Sequence, residues 1–154
     1  MSIGRFLADE GALESWGRRI GREAGRPLVL ALSGELGAGK SVLARSIARG
    51  AGVTSAMPSP TFNLLYRYST GSGDVVHIDL YRLSQPEDVW ELGWRELGLP
   101  GEIVVIEWPE RAASLLPAPR WQIELVAPSP GSPVRHVHAS RVGPAPPLPP
   151  PPSP

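Results

Sequence analysis

The stretch Gly34-Glu35-Leu36-Gly37-Ala38-Gly39-Lys40-Ser41 constrains this chain more than any other. It fits G-x-x-x-x-G-K-[ST], in which glycines let the backbone turn until successive N–H groups face one concavity that holds phosphate oxygens. In such a loop Lys40 reaches the β- and γ-phosphates and the Ser41 hydroxyl ligates Mg²⁺. With Val42 behind it, the whole stretch is the candidate nucleotide contact. The flanks agree with the motif. Leu28–Leu32 is a short apolar run behind Pro27, which reads as a buried parallel strand. Val42, Leu43 and Ile47, with Ala44 and Ala48, space out as one helical face. Strand, glycine loop and helix aim a helix N-terminus at an anion. Among 15 Lys+Arg residues, Lys40 is the one lysine, kept where a compact ammonium fits beside phosphate. The competing reading is a glycine-rich turn with an ordinary surface lysine.

At 154 residues the chain is long enough for one domain with a sizeable core. A hydrophobic content of 42% is that of an ordinary globular protein. Zero cysteines exclude disulfides, thiolate catalysis and Cys-type zinc sites. No run approaches a membrane span, and the start lacks the apolar core of a signal peptide, so the expected compartment is the cytoplasm. The formal net charge of zero argues against a protein that holds nucleic acid chiefly through its own charge. Nucleic acid reached through a partner stays open. Of the 19 prolines many crowd the end. Residues 143–154 are expected to form an extended, disordered tail behind a folded domain at 1–142, and a polyproline docking ligand is the other reading.

Asp9–Ala24 reads as a helix with Asp9 as cap and Leu13, Trp16 and Ile20 on one face. Phe62–Tyr68 alternates with period two, and Val75–Leu80 follows a Gly71–Asp74 turn, so the pair reads as a hairpin. Ser84-Gln85-Pro86-Glu87 is a capping-box pattern opening a helix with Val89, Trp90 and Leu92. Ile103–Ile106 is the strongest buried-strand signal. Trp121–Val126 and Val134–Ser140 read as two more strands, a hairpin at the sheet edge. The expected class is α/β: a three-layer phosphate-loop fold with a mixed, mainly parallel central sheet and an inserted antiparallel hairpin.

Hydrolysis needs a carboxylate beside Mg²⁺ and a group that positions water. Two carboxylates end apolar strands, where open α/β sheets bind ligands. Asp79 closes Val75–Ile78 and Glu107 closes Ile103–Ile106. Each has a structural alternative: Asp79 as ion-pair partner of Arg82, Glu107 as cap for the helix after Pro109. Thr61, in a proline-stiffened loop, is either a γ-phosphate sensor or a turn residue opening a strand. His77 shares a strand face with Asp79 and reads as packing or support for the site rather than as a base. Trp108, beside Glu107, is the tryptophan placed to lie against a nucleotide.

Four segments in this order, Gly34–Ser41, Ser59-Pro60-Thr61-Phe62, His77-Ile78-Asp79-Leu80-Tyr81-Arg82 and Glu107-Trp108-Pro109, resemble the TsaE (YjeE) family. These are small bacterial ATPases of tRNA threonylcarbamoyladenosine biosynthesis. The resemblance runs from about Asp9 to Ser140. It implies Mg²⁺-dependent ATP hydrolysis at a low intrinsic rate, and work on a TsaB–TsaD complex that modifies adenosine 37, so that tRNA is met only through the complex. On that resemblance Lys40 is the phosphate lysine, and Ser41 stands where the family usually has threonine. Glu107 is then the second magnesium ligand, Asp79 acts with the metal or the attacking water, and Thr61 belongs to a switch-like loop. Leu7-Ala8-Asp9 is expected near the adenine. A small GTPase would need a guanine-reading Asn-Lys-x-Asp, which a chain with one lysine cannot supply. A small-molecule kinase would need an arginine-rich lid, and no arginine cluster marks one.

Overall fold

The computed structural model describes residues 2–57 and 64–152. The Ser59–Phe62 segment, with Thr61, lies outside the described residues.

The elements run β1 (Ser2–Asp9), α1 (Glu10–Glu23), β2 (Leu28–Ser33), α2 (Lys40–Gly50), β3 (Leu65–Thr70), β4 (Gly73–Asp79), β5 (Ile103–Glu107), β6 (Arg120–Val126) and β7 (Val134–Val142). Short 3-10 helices at Pro86–Leu92, Trp94–Glu96 and Pro109–Leu115 interrupt the second half. The seven strands make one sheet in the order β1-β7-β6-β2-β5-β4-β3.

Alternation along the strands divides the core. Leu28, Leu30, Leu32, Ile103, Val105, Trp121 and Ile123 face α1 and α2, while Val29, Val76, Ile78, Val104 and Ile106 face the 3-10 segments. Two covering layers on a sheet give the three layers expected. Asp9 caps α1 as its position suggests: its Oδ1 accepts the Ala12 N–H at 2.8 Å, and Leu13, Trp16 and Ile20 are buried.

The sheet is less parallel than the sequence suggests. Its centre, β6-β2-β5-β4, is parallel, but the β3–β4, β6–β7 and β1–β7 pairings are antiparallel. The difference comes from β1, which the sequence pattern hides. A register shift between Ser2 and Gly4 breaks its alternation. Because β1 pairs with β7, the β6–β7 hairpin lies inside the sheet and not at its edge. The Pro86–Leu92 helix is of 3-10 type, with Gln85 rather than Ser84 at its cap and the Asp88 carboxylate accepting the Gln85 N–H at 3.2 Å.

The proline-rich segment also departs from expectation. Composition makes 143–154 a disordered tail, yet the described part, 143–152, lies against α1 and β6, with Ala145 and Pro149 buried. The physical reason is two tryptophans, Trp16 and Trp121, whose indole N–H groups need acceptors when buried and find them in proline carbonyls.

Candidate functional site

The site lies where the parallel strands end, between the C-termini of β2, β4 and β5 and the start of α2. Gly34 opens the loop at φ 149°, and a Cβ there would stand 2.6 Å from the Leu125 carbonyl of β6, so only glycine lets the loop leave β2 this close to its neighbour. Gly39, at φ 107°, is the cap of α2. The first amides of that helix have no intrahelical partner and face the concavity, which leaves them to an anion.

Strand parity sets the rest. His77, Asp79 and Glu107 share the helix-facing side with Val75 and Val105, and register pairs Asp79 directly with Glu107. Glu107 is only 2% exposed, and both of its oxygens are engaged. Oε1 accepts the Ser41 hydroxyl at 3.1 Å, and Oε2 lies 2.5 Å from His77 Nε2. Glu107 therefore does not cap the helix after Pro109; Trp108 holds that cap position. Asp79 is part-exposed, with Oδ1 accepting the Tyr81 N–H at 3.0 Å. Burial pushes its carboxyl above the ordinary range; the neighbouring Glu107 adds to this, while the Tyr81 amide, His77 and Lys40 oppose it.

Lys40 is buried at the centre of these groups. Its Nζ donates to the Gly34 carbonyl and to the Glu35 carbonyl, the latter at 2.8 Å, and lies 4.0 Å from the Trp108 ring centroid. Burial lowers its pKa, against the pull of Glu107, Glu110 and Asp79. Trp108 itself is held at φ 57°, the one non-glycine residue with positive φ among the described residues. Such strain at a strand end is a mark of functional positions. Tyr81 packs on it at 4.9 Å between ring centroids.

Two clefts flank the loop, with Gly37, Gly39 and Val42 lining both. One, of about 260 Å³, holds Lys40, Ser41, Asp79, Tyr81, Glu107 and Trp108. The other, of about 270 Å³, lies between Asp9, Glu10 and Leu13 on one side and Arg135 on the other. Of Leu7-Ala8-Asp9, only Asp9 lines it: Ala8 is in the core and Leu7 is exposed. The sequence reading missed Arg135, whose Nε and Nη2 donate to the Ala38 and Gly37 carbonyls, each at 3.1 Å. Nothing in its local sequence marks it, because the loop it anchors is 97 residues away. Tyr81 was visible only as part of the His77–Arg82 motif.

The donor set fits magnesium. A hydroxyl and a carboxylate oxygen 3.1 Å apart match neighbouring corners of an octahedron with bonds of about 2.1 Å, whose edge is about 3.0 Å. No cluster of three or more His, Cys, Asp or Glu ligands exists among the described residues. That suits an ion that keeps water and phosphate in its shell rather than a full protein cage.

Residues 7–135 match the family model described as threonylcarbamoyl adenosine biosynthesis protein TsaE. The tRNA threonylcarbamoyladenosine biosynthesis protein TsaE of Synechocystis is 36% identical over 113 residues, 71% of this chain and 72% of that protein. The Haemophilus influenzae protein of that name is 31% identical over 121 residues, 75% and 77% of the two chains. The Rickettsia felis one is 42% identical over 98 residues, 63% of this chain but only 57% of its relative. Among solved structures, the Bacillus protein YdiB superposes with a TM-score of 0.68 over 93% of this chain and 88% of that one, at 23% identity, a likeness of fold. No helix among the described residues is long and apolar enough to cross a membrane. On the family match and these relatives, the chain belongs to the TsaE family.

Proposed function

We propose that this protein binds Mg²⁺–ATP at Gly34–Val42 and hydrolyses it slowly, as the ATPase subunit of the machinery that makes threonylcarbamoyladenosine at position 37 of tRNA. Its partners would be the TsaB and TsaD homologues of its organism, tRNA being met only through them, in the cytoplasm. The observation that carries this reading is the Ser41–Glu107–His77 chain set at the N-terminus of α2.

Each residue has a defined task on this reading. The loop amides and Lys40 hold the phosphates, with Lys40 exchanging carbonyl partners for phosphate oxygens. Ser41 and Glu107 would hold the magnesium ion, which supplies charge neutralisation on the β- and γ-phosphates. His77 occupies one Glu107 oxygen and so keeps the other turned toward Ser41. Asp79, unburdened by a second strong partner on its register line, orients the attacking water or meets the metal. Trp108 and Tyr81 wall the phosphate cleft, and Asp9, Leu13 and Arg135 frame the space for the base. Thr61, outside the described residues, is assigned the switch role by its motif alone.

The test is ATP hydrolysis by the purified protein, alone and with its TsaB and TsaD. Stimulation by the pair that disappears in Lys40→Ala is expected. ATP binding with no docking or rate change on adding the pair would refute the pathway and leave a different phosphoryl-transfer role, for which a phosphorylated small acceptor should be sought.

A further inference from the structure

The segment behind β7 is more specific than its composition. Trp16 Nε1, from α1, donates to the Pro149 carbonyl at 3.1 Å, and Trp121 Nε1, from β6, donates to the Pro146 carbonyl at 2.7 Å. These carbonyls are three residues apart. Polyproline II has three residues per turn, so carbonyls at that spacing leave the same side of the helix. Arg19 Nη1 adds a bond to the Pro150 carbonyl at 3.2 Å. Between these points Leu148 packs against the helix-side core, and Ala145 is buried in it.

The chemistry of the two sides matches. A run of prolines has no amide N–H, so carbonyls are its only polar groups and it needs only donors. Indole is a donor with no acceptor. Arginine likewise only donates. Each proline also arrives with φ already fixed near −65°, so little backbone entropy is lost on docking. Aromatic grooves that present donors to such segments are a recurring recognition mode.

We propose that the face built by Trp16, Arg19 and Trp121 is a polyproline-recognition groove, filled in cis by residues 144–152 of the same chain. The groove is independent of the nucleotide site but shares α1 with it: Trp16 lies one turn beyond Leu13, which lines the cleft beside the loop. The docked segment thereby braces the helix that forms one wall of that cleft.

Because the chain has no cysteine, Pro147→Cys gives a single nitroxide attachment point on an exposed position of the segment. In the full-length protein with ¹⁵N-labelled tryptophan, the Trp16 and Trp121 indole signals, assigned from Trp16→Phe and Trp121→Phe, should broaden strongly. That of Trp90, which sits in the 3-10 layer on the other face of the sheet, should broaden least. Equal and weak broadening of all the indoles would overturn the proposal. As a second arm, the full-length Leu148→Asp/Pro149→Gly chain should bind a fluorescent peptide of sequence 143–154 at least tenfold more tightly than wild type, whose groove competes at the high local concentration of a tethered ligand. Equal binding by the two proteins, or none by either, would count against a groove. If the double variant does not fold, the nitroxide result alone decides.

Discussion

Adding a single methyl group at Gly21 should separate the two helices that carry the site. A Cβ there would stand 2.0 Å from the Ile47 carbonyl oxygen and 2.6 Å from the Ala51 nitrogen, both backbone atoms of α2 and its cap. A relaxed carbon–oxygen contact is no shorter than about 3.3 Å, so the helices must part by roughly an ångström at this crossing. No rotamer change can relieve a clash with backbone. Overpacking of this kind costs about 1–3 kcal/mol, here toward the upper end, against a gain of about 1 kcal/mol from replacing glycine within a helix. The net of about 2 kcal/mol lowers Tm by about 4–8 °C for a domain of this size. Gly50→Ala meets the Arg18 carbonyl at 2.0 Å and should behave alike. The double variant should lose less than the sum, since helices already parted for one methyl accommodate the second. Gly11→Ala is the control: its nearest neighbour is Asp9 Oδ1 at 3.6 Å, so the propensity gain of about 0.5 kcal/mol should stand alone and raise Tm slightly. Calorimetric melts of the four variants measure all of this. A Gly21→Ala protein as stable as wild type would refute the packing argument. Because α2 begins with Lys40 and Ser41, Gly21→Ala should also weaken nucleotide binding, whereas Gly11→Ala should not.

Glu107→Gln and Asp79→Asn should keep much of the ATP affinity while hydrolysis falls about 10²-fold or more; steady-state rates within a factor of two of wild type would demote the residue to structure. His77→Ala should raise the Mg²⁺ concentration that half-saturates ATP binding by about tenfold, the scale of lost support behind a metal ligand. Magnesium-free nucleotide affinity should stay put, and an unchanged magnesium titration would remove His77 from the site. The raised carboxyl pKa of Asp79 makes the ionised form costly in the folded protein. That penalty is fully present above the raised value and relieved as pH falls through it toward the ordinary 3.8. Asp79→Asn should therefore stabilise the nucleotide-free protein at neutral pH and lose the advantage in acid, and melts at both pH values would show it; no gain at neutral pH contradicts the sign.

Much of the site could be read without coordinates because its signals are local. The glycine spacing fixes the loop, and strand parity alone brings Asp79 and Glu107 to the same end of the same face. What stayed hidden depends on contacts between distant parts of the chain. Arg135 works through carbonyls of a loop far from it in sequence, and no periodicity records such a bond. β1 was lost because the irregularity at Gly4 interrupts its alternation, and with it went the correct place of the β6–β7 hairpin. The tail was misread for a related reason: composition reports what a segment can bury by itself, not which indoles elsewhere need acceptors. His77 was legible as support but not as the partner of Glu107, since that pairing needs the β4–β5 register.

The contacts around Lys40 carry a consequence for how such a protein would cycle. Its ammonium is already satisfied by two loop carbonyls and an aromatic face. Nucleotide would not fill a frustrated void; it would trade places with internal partners of nearly equal quality. The free energy of binding is then a small difference between two well-solvated arrangements, and the same holds in reverse for departure of the product. A vacated loop is a resting state in its own right, so turnover can pause there without the fold paying any penalty while it waits.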